Sequence, residues 1–263
     1  KVLEWIPLRQ EFLDEILRFE GSEYFKNGSS AVCQACNVPG ADLRCTRCGT
    51  RALYCDGCVV KRHRNLELHI LERWVRGKFV KTDLRSLGAV VQLGHDSAPC
   101  PRPSSQTRNM VVVDLDRIHE VRVRFCECVS DDNSLPEWVQ IFRHGWFPAT
   151  TLRPATSITF RALDFFQELN FQAKTTLNDF ERTLWRVTDN SGSCARPLIR
   201  YKQFSHCIRL WRHLVALKRA GRAHDPAGAA ATQPGDLAVE CPACPHPGIN
   251  LPPGWETADD GVR

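Results

Sequence analysis

The sequence has no hydrophobic run long enough to cross a membrane. Apolar stretches such as 88–91 fall far short of the roughly 20 residues that a spanning helix needs. A secretory signal is missing as well, because the chain does not open with a basic segment followed by an apolar one. These absences predict a nuclear or cytoplasmic protein that is neither secreted nor membrane-bound. The only methionine is Met110, so we expect a piece of a longer protein.

The chain also lacks a large excess of charge of either sign. The formal net charge is +5 over 263 residues, which does not by itself indicate a nucleic-acid partner. Hydrophobic residues make up 43% of the chain, enough for a buried core in one large or two ordinary domains. The unusual feature is cysteine, with thirteen residues. Because the number is odd and no signal precedes them, metal binding in a reducing compartment is a better explanation than disulfides.

Residues 33–69 hold three C-x2-C pairs followed by two histidines. A C-x2-C pair presents two thiolates to one ion, so the four ligand pairs predict two tetrahedral zinc sites. Joining the first and third cysteine pairs leaves a gap of 18 residues, and joining the second pair to the histidines leaves 14. These gaps fit the spans of about 15–20 and about 12–15 residues that four-cysteine and Cys2His2 sites show.

Pairing in sequential order would leave gaps of only 8 and 4 residues. The spacing therefore predicts interleaved sites, a cross-brace, in which closed zinc sites replace a hydrophobic interior. Unliganded or redox cysteines are the alternative. Site one comprises Cys33, Cys36, Cys55 and Cys58, and site two comprises Cys45, Cys48, His63 and His69.

Later cysteines suggest two more sites, so that two zinc ions are expected and up to four are allowed. A third site would use His95, Cys100, Cys126 and Cys128, with His119 as an alternative ligand. The competing explanation is that the third-site cysteines are small buried apolar residues. A fourth site would use Cys241, Cys244, His224 and His246.

Hydrophobic periodicity predicts an α+β fold with a small cross-brace zinc module, a short β-hairpin region and a C-terminal bundle of about three helices. An amphipathic helix is expected at 8–20 and strands at 110–115 and 119–126. The bundle helices are expected near 157–172, 174–188 and 199–220. The expected divisions are an N-terminal helix and linker (1–30), the zinc cluster (31–78), a β-containing region (79–156), a helical region (157–222) and a Pro/Gly-rich tail (223–263).

Residues 196–222 carry eight Lys and Arg residues and no acidic residue. Basic side chains outside an apolar helical stripe are able to contact phosphates, which predicts DNA binding that weakens with salt. The alternative is a solvated basic face that pairs with the acidic first helix. The candidate nucleic-acid contacts are Arg200, Lys202, Arg209, Arg212, Lys218, Arg219 and Arg222.

An ordered series of motifs follows the Cys/His cluster along the chain. It comprises Leu93-Gly94-His95, Cys100-Pro101, Ile118-His119-x-Val121-x-Val123-x-Phe125-Cys126-x-Cys128, Trp146-Phe147-Pro148-Ala149-Thr150, Thr188-Asp189-Asn190, Trp211-Arg212-His213-Leu214, Lys218-Arg219-Ala220-Gly221-Arg222 and Cys241-Pro242-Ala243-Cys244-Pro245-x-Pro247-Gly248-Ile249-Asn250. Over nearly its whole length, the chain resembles the CxC-type cysteine-cluster domain that accompanies KDZ (Kyakuja–Dileera–Zisupton) transposases, which are common in mushroom-forming fungi.

The resemblance implies a zinc-stabilised region that lies N-terminal to an RNase-H-like transposase core. It implies a nuclear role in recognising DNA, the transposase catalytic domain or another copy of itself. The catalytic carboxylates of such a transposase are expected beyond Arg263. We therefore expect no catalysis and no small-molecule substrate for this chain.

Two other functions are compatible with the residues. The Cys/His spacing also resembles B-box domains, which would make the chain a zinc-dependent protein-interaction module without DNA affinity. An intact nuclease would need catalytic carboxylates, for which Asp114 and Asp116 at the end of an apolar strand are the candidates. Since no later strand supplies a further carboxylate, we favour a polar hairpin turn at these residues.

Overall fold

The structure of the protein is a computed structural model that describes residues 2–21, 31–95, 98–130, 133–189, 200–239, 241, 243–251 and 253–257. Its α-helices are α1 (Val2–Trp5), α2 (Arg9–Glu20), α3 (Asp56–Arg62), α4 (Glu137–Arg143), α5 (Phe160–Ala173), α6 (Leu177–Thr188) and α7 (Tyr201–Arg219). Its strands are β1 (Leu43–Cys45), β2 (Leu71–Val75), β3 (Lys78–Thr82), β4 (Val91–Gln92), β5 (Arg108–Val113), β6 (Ile118–Arg124), β7 (Val129–Ser130), β8 (Asn133–Ser134), β9 (Trp146–Pro148) and β10 (Thr156–Thr159).

The Cys/His-rich segment folds around an antiparallel sheet of three strands in the order β1-β2-β3. Its helix α3 packs beside the sheet and buries Val59 against Leu43, Leu53 and Leu71. The turn between β2 and β3 places Arg76 and Gly77 in the left-handed region, with φ of 48° and 81° respectively. The segment thus has a small apolar core of its own, in addition to its cysteines and histidines.

A mixed sheet of five strands follows, in the order β4-β6-β5-β10-β9. Strands β5 and β6 form the antiparallel hairpin, and β10 pairs parallel to β5 on its other side. Alternate residues of β6 are buried, and α4 adds Ile141 to the same core. The carboxyl ends of β5 and β10 therefore lie side by side, next to the turn that joins β5 to β6.

Helices α5 and α6 are held by aromatic side chains. Thr159 caps α5 by accepting a hydrogen bond from the Ala162 N–H, and the Thr176 side chain caps α6 in the same way. The Phe180 ring lies 5.2 Å from the Phe166 ring and 5.8 Å from the Phe204 ring, measured between centroids. This cluster supplies the core between α5, α6 and the start of α7.

The chain divides into two compact units, residues 1–208 and residues 209–263, and α7 crosses the division. Beyond α7, the described residues of the second unit form turns and two short 3-10 segments, Gly228–Ala231 and Trp255–Thr257. No helix in the described part of the chain is both long and apolar enough to cross a membrane.

The α+β class predicted from the sequence is confirmed, and the three C-terminal helices form near their expected positions. The β-hairpin region is larger than expected, because β4, β9 and β10 extend the hairpin into a five-stranded sheet. The helix expected to begin near residue 157 begins at Phe160, since residues 156–159 form β10. The domain boundaries drawn from the sequence stay a prediction.

Replacing Phe180 with alanine is expected to lower the free energy of unfolding by about 3–5 kcal/mol, because the change leaves a cavity between two other phenylalanine rings. Phe180 is only 4% exposed. Urea denaturation measures the effect. The matched control is Phe171→Ala on α5, which is 68% exposed and is expected to cost about 0.5 kcal/mol or less. Equal costs at the two positions would contradict the packing described above.

Candidate metal centres

The first group of ligands joins a tight turn to the start of a helix. Cys33 and Cys36 lie in a turn closed by the hydrogen bond from the Asn37 N–H to the Cys33 carbonyl, 2.8 Å long. Cys55 immediately precedes α3, and Cys58 lies in its first turn. The four sulfur atoms of this group all lie within 4.8 Å of one another.

The second group uses the opposite end of α3. Cys45 is the last residue of β1, and His63 is the residue at which α3 ends. The His63 Nε2 atom lies 3.3 Å from the Cys48 sulfur, and the His69 Nδ1 atom lies 3.4 Å from the sulfurs of both Cys45 and Cys48. All four ligand atoms lie within 4.8 Å of one another.

Both groups therefore depend on α3, which contributes cysteines at its first turn and a histidine at its end. The structure gathers the eight side chains into the same two interleaved groups that the spacing predicts. A hydrogen bond of 2.8 Å between His63 Nδ1 and the Val59 carbonyl oxygen orients the imidazole. Since a carbonyl only accepts, Nδ1 carries the proton and Nε2 is free to bind an ion.

The electrostatics of these groups favour a cation. Hydrogen bonds in which the protonated Cys58 thiol donates to the sulfurs of Cys55 and Cys36 raise the pKa of Cys58 to about 12. Burial raises the pKa of Cys45 to about 11. Burial lowers the pKa of both His63 and His69, which keeps the imidazoles neutral, the form that binds metal. The thiols of each group are too close to ionise together unless a positive ion compensates them.

The third group lies at one end of the five-stranded sheet. His95 Nε2 lies 3.2 Å from the Cys126 sulfur, and the sulfurs of Cys100 and Cys128 are 3.9 Å apart. The four ligand atoms again lie within 4.8 Å of one another. Hydrogen bonds with the His95 and Cys126 side chains lower the pKa of Cys128 to about 7. The strand expected at 119–126 ends at Arg124 in the structure. Cys126 and Cys128 therefore follow β6 and are not part of it.

Gln140 of α4 holds the third group in place, a role that sequence reasoning missed. Its side chain accepts the Cys126 N–H at 2.8 Å and donates to the carbonyls of Cys126 and Leu135 at 3.0 and 2.8 Å. Gly94 packs directly against Cys126, because a Cβ at this glycine would lie 2.6 Å from the Cys126 Cβ. The sequence did contain a signal for this role, a glutamine on the apolar face of a short helix. A glutamine buried in that position needs hydrogen-bond partners for its amide.

The expected fourth site is not gathered in the structure. Within the described residues, no group of three or more close ligands includes Cys241 or Cys244, and both side chains are exposed. His246 turns to the main chain, where its Nε2 atom lies 2.7 Å from the Cys241 carbonyl oxygen. His224 lies in the turn after α7. Of the other two cysteines, Cys207 is buried and Cys194 lies outside the described residues.

The candidate DNA contacts lie mostly on α7. Arg222 is engaged by acidic neighbours, since its guanidinium pairs with Asp225 at 2.8 Å and with Asp236. Arg200 precedes the helix and is half-buried. The side chains on the helix itself are exposed, and they are Lys202, Arg209, Arg212, Lys218 and Arg219.

Ion pairs connect the second group to the five-stranded sheet. Arg47, between the two cysteines of that group, pairs with Asp116 in the turn after β5. Glu67, two residues before His69, contacts His144 at 2.5 Å. No local pattern in the sequence predicts these pairs, because the partners are far apart along the chain. The separation is 69 positions for Arg47 and Asp116 and 77 positions for Glu67 and His144.

Asp114 is not an open catalytic carboxylate. Its side chain is fully buried, accepts a hydrogen bond of 2.6 Å from Thr159, and pairs with Arg161 through both oxygens. Asp259 and Asp260, a further acidic pair near the end of the sequence, lie outside the described residues. The geometry agrees with the preference for a structural turn over a nuclease centre.

Comparison with known families adds a context to this geometry. Over residues 84–192, the chain matches the family described as CxC2 like cysteine cluster associated with KDZ transposases. The resemblance seen in the sequence is confirmed over this range. The range contains the five-stranded sheet, helices α4–α6 and all four ligands of the third group. A comparison with curated proteins and with solved structures finds no match.

Cys45→Ser is expected to release the ion of the second group, about one per chain, and the ion of the first group as well where the 33–69 segment unfolds, because ion binding and folding are coupled. Native mass spectrometry counts the ions. The control is Cys207→Ala, a buried cysteine outside the three groups, which should leave the count unchanged. An unchanged ion count in Cys45→Ser would remove this residue from the second group.

Proposed function

We propose that the chain is a zinc-stabilised accessory region of a KDZ-type transposase that takes part in DNA recognition or assembly and performs no catalysis itself. The observation that carries this proposal is the family match at 84–192, within which His95, Cys100, Cys126 and Cys128 converge. The described cysteines are free thiols, which suits a reducing nuclear or cytoplasmic compartment.

Zinc is the ion that best fits the three Cys/His groups. Their twelve ligand atoms are sulfur or imidazole nitrogen, the donors that Zn²⁺ takes in closed tetrahedral sites. The first group would hold the ion through four thiolates, the second through two thiolates and two imidazoles, and the third through three thiolates and one imidazole. Four protein ligands leave no position for a substrate, so the ions would contribute folding energy.

The basic side of α7 supports a DNA contact. Arg209, Arg212 and Arg219 follow one another at intervals of three and seven residues, which places them on one side of a helix. Lys218 is exposed on the same segment, and the helix carries no acidic residue. Guanidinium groups arranged in this way are able to bind the phosphates of a DNA duplex. Such phosphate contacts do not depend on the base sequence of the DNA.

Reversing Arg209, Arg212, Lys218 and Arg219 to glutamate is expected to abolish most duplex binding at low salt. Each phosphate contact contributes about −0.9 to the slope of log K against log salt concentration. Fluorescence anisotropy with a labelled duplex should therefore show a slope that is shallower by about 0.9 for each phosphate that the variant no longer neutralises.

The control for this variant carries the same charge change at four other exposed arginines, Arg143, Arg153, Arg182 and Arg186. This control should bind DNA much more tightly than the α7 variant. Equal weakening in both variants would show a general charge effect, and no retention of wild-type protein at low salt would reject DNA binding.

A second function, zinc-dependent assembly without DNA binding, is favoured by the N-terminal helical segment 2–20. Leu13, Ile16 and Leu17 on α2 are 47–57% exposed, and soluble monomers rarely leave such contiguous apolar side chains in water. The end of this segment contacts the Cys/His-rich segment 33–69. The Phe19 carbonyl accepts a hydrogen bond of 3.2 Å from the Arg44 side chain, and the Arg51 guanidinium lies 4.3 Å from the Phe19 ring centroid.

If this surface joins two copies, Ile16→Glu with Leu17→Glu should convert an oligomer into a monomer, and zinc chelation should have the same effect. Light scattering measures the mass. Val239→Glu, at an apolar residue that is 73% exposed, is the control and should leave the mass unchanged. A wild-type protein that is already monomeric would contradict self-association.

A further inference from the structure

A second kind of ligand cluster lies at the turn between β5 and β6, outside the three Cys/His groups. It consists of Asp114, Asp116 and His119, with one ligand atom from each within 4.8 Å of the others. Asp114 and His119 are 0% and 8% exposed. Asp114 and Asp116 lie in the turn that follows β5, where the carboxyl ends of β5 and β10 meet, and His119 lies on β6.

Two atoms of this cluster are buried and have no hydrogen-bond partner in the described structure. They are Oδ1 of Asp116 and Nε2 of His119. The two atoms are 3.8 Å apart, which is too far for a hydrogen bond. A buried carboxylate oxygen and a buried imidazole nitrogen without hydrogen bonds are destabilising, so a bound group between them would be stabilising.

The remaining oxygens of the cluster are oriented by partners outside it. Arg47 pairs with Oδ2 of Asp116, which turns Oδ1 toward His119. Thr159 and Arg161 use three of the roughly four lone-pair sites of the Asp114 carboxylate, leaving one at Oδ2. Each residue of the cluster thus keeps one ligand position.

We propose that Asp114, Asp116 and His119 bind a divalent transition-metal ion in a site separate from the three Cys/His groups. Two carboxylates with one imidazole suit a harder ion than thiolates do, of the class of Mn²⁺. Arg47 and Arg161 already balance the two carboxylate charges, so binding should be weaker than at an uncompensated carboxylate pair. This site is independent of the proposed DNA contact.

A cavity borders the cluster at His119. It has a volume of about 260 Å³ and is lined by His69, Arg117, Ile118 and His119 among others. His119 therefore has one side on the cavity and its Nε2 atom near Asp116. The same cavity places the ion site close to His69 of the second Cys/His group, so zinc in that group would help to hold Arg47 and the cluster in place.

Manganese is the probe, because Mn²⁺ binds a given site most weakly among the first-row divalent ions and should not displace zinc from thiolates. The experiment titrates the zinc-loaded full chain with Mn²⁺ and follows free Mn²⁺ by electron paramagnetic resonance. One ion should bind per chain. Pulsed spectroscopy on protein labelled with 15N-histidine should show coupling from one imidazole nitrogen.

His119→Gln and Asp116→Asn should each weaken Mn²⁺ binding by more than about tenfold, since changes even to residues that only support a metal ligand cost that much. The nitrogen coupling should disappear in His119→Gln. Matched controls are His206→Gln on α7 and Glu168→Gln on α5, both exposed, which should leave Mn²⁺ affinity unchanged. The zinc content of each variant reports whether the Cys/His groups are intact.

The proposal is overturned if the wild-type chain binds no Mn²⁺, or if bound Mn²⁺ shows no histidine nitrogen. It is also overturned if His119→Gln binds Mn²⁺ as tightly as the wild type. The first two outcomes need no variant, so the test stands even if a substitution disturbs folding.

Discussion

Thiolates repel one another, yet three groups in this chain each bring four sulfur or imidazole ligand atoms within 4.8 Å. Such convergence is stable with ionised ligands only when a cation lies among them, because without one the thiols stay protonated, as the raised pKa of Cys58 indicates. The rest of the fold is arranged around this requirement. Helix α3 is only seven residues long, yet it serves two groups at once.

The Cys/His module and the five-stranded sheet depend on each other. Arg47 reaches from the second group to Asp116 beside the sheet, and Glu67 reaches to His144 at the end of α4. Lys81 of β3 donates to the Val187 carbonyl of α6 at 2.9 Å. The region that matches the CxC2 family begins at residue 84, so part of what supports it lies in the segment before the match.

Local patterns predicted the helices well and the sheet only in part. Helices α5 to α7 are long and periodic, and the first turns of α5 and α6 carry caps, Thr159 and Thr176. The hairpin of β5 and β6 has clear alternation, whereas β4 has two residues and β10 is buried at every position. A strand without alternation shows no period in the sequence, because both of its faces are covered by other parts of the chain.

The sequence by itself indicated the α+β class and the arrangement of the eight ligands in the first two Cys/His groups, because the reach of a C-x2-C pair and the length of the loop between pairs are local properties. Only the tertiary structure placed β10 beside β5 and brought Gln140 to Cys126, since these contacts join residues with no fixed spacing. Asp114, Asp116 and His119 approach one another because they are adjacent in one hairpin, whereas the arginines that orient the two carboxylates come from distant segments. Burial and pairing across long separations decide such contacts, and a single sequence does not encode them in any local pattern.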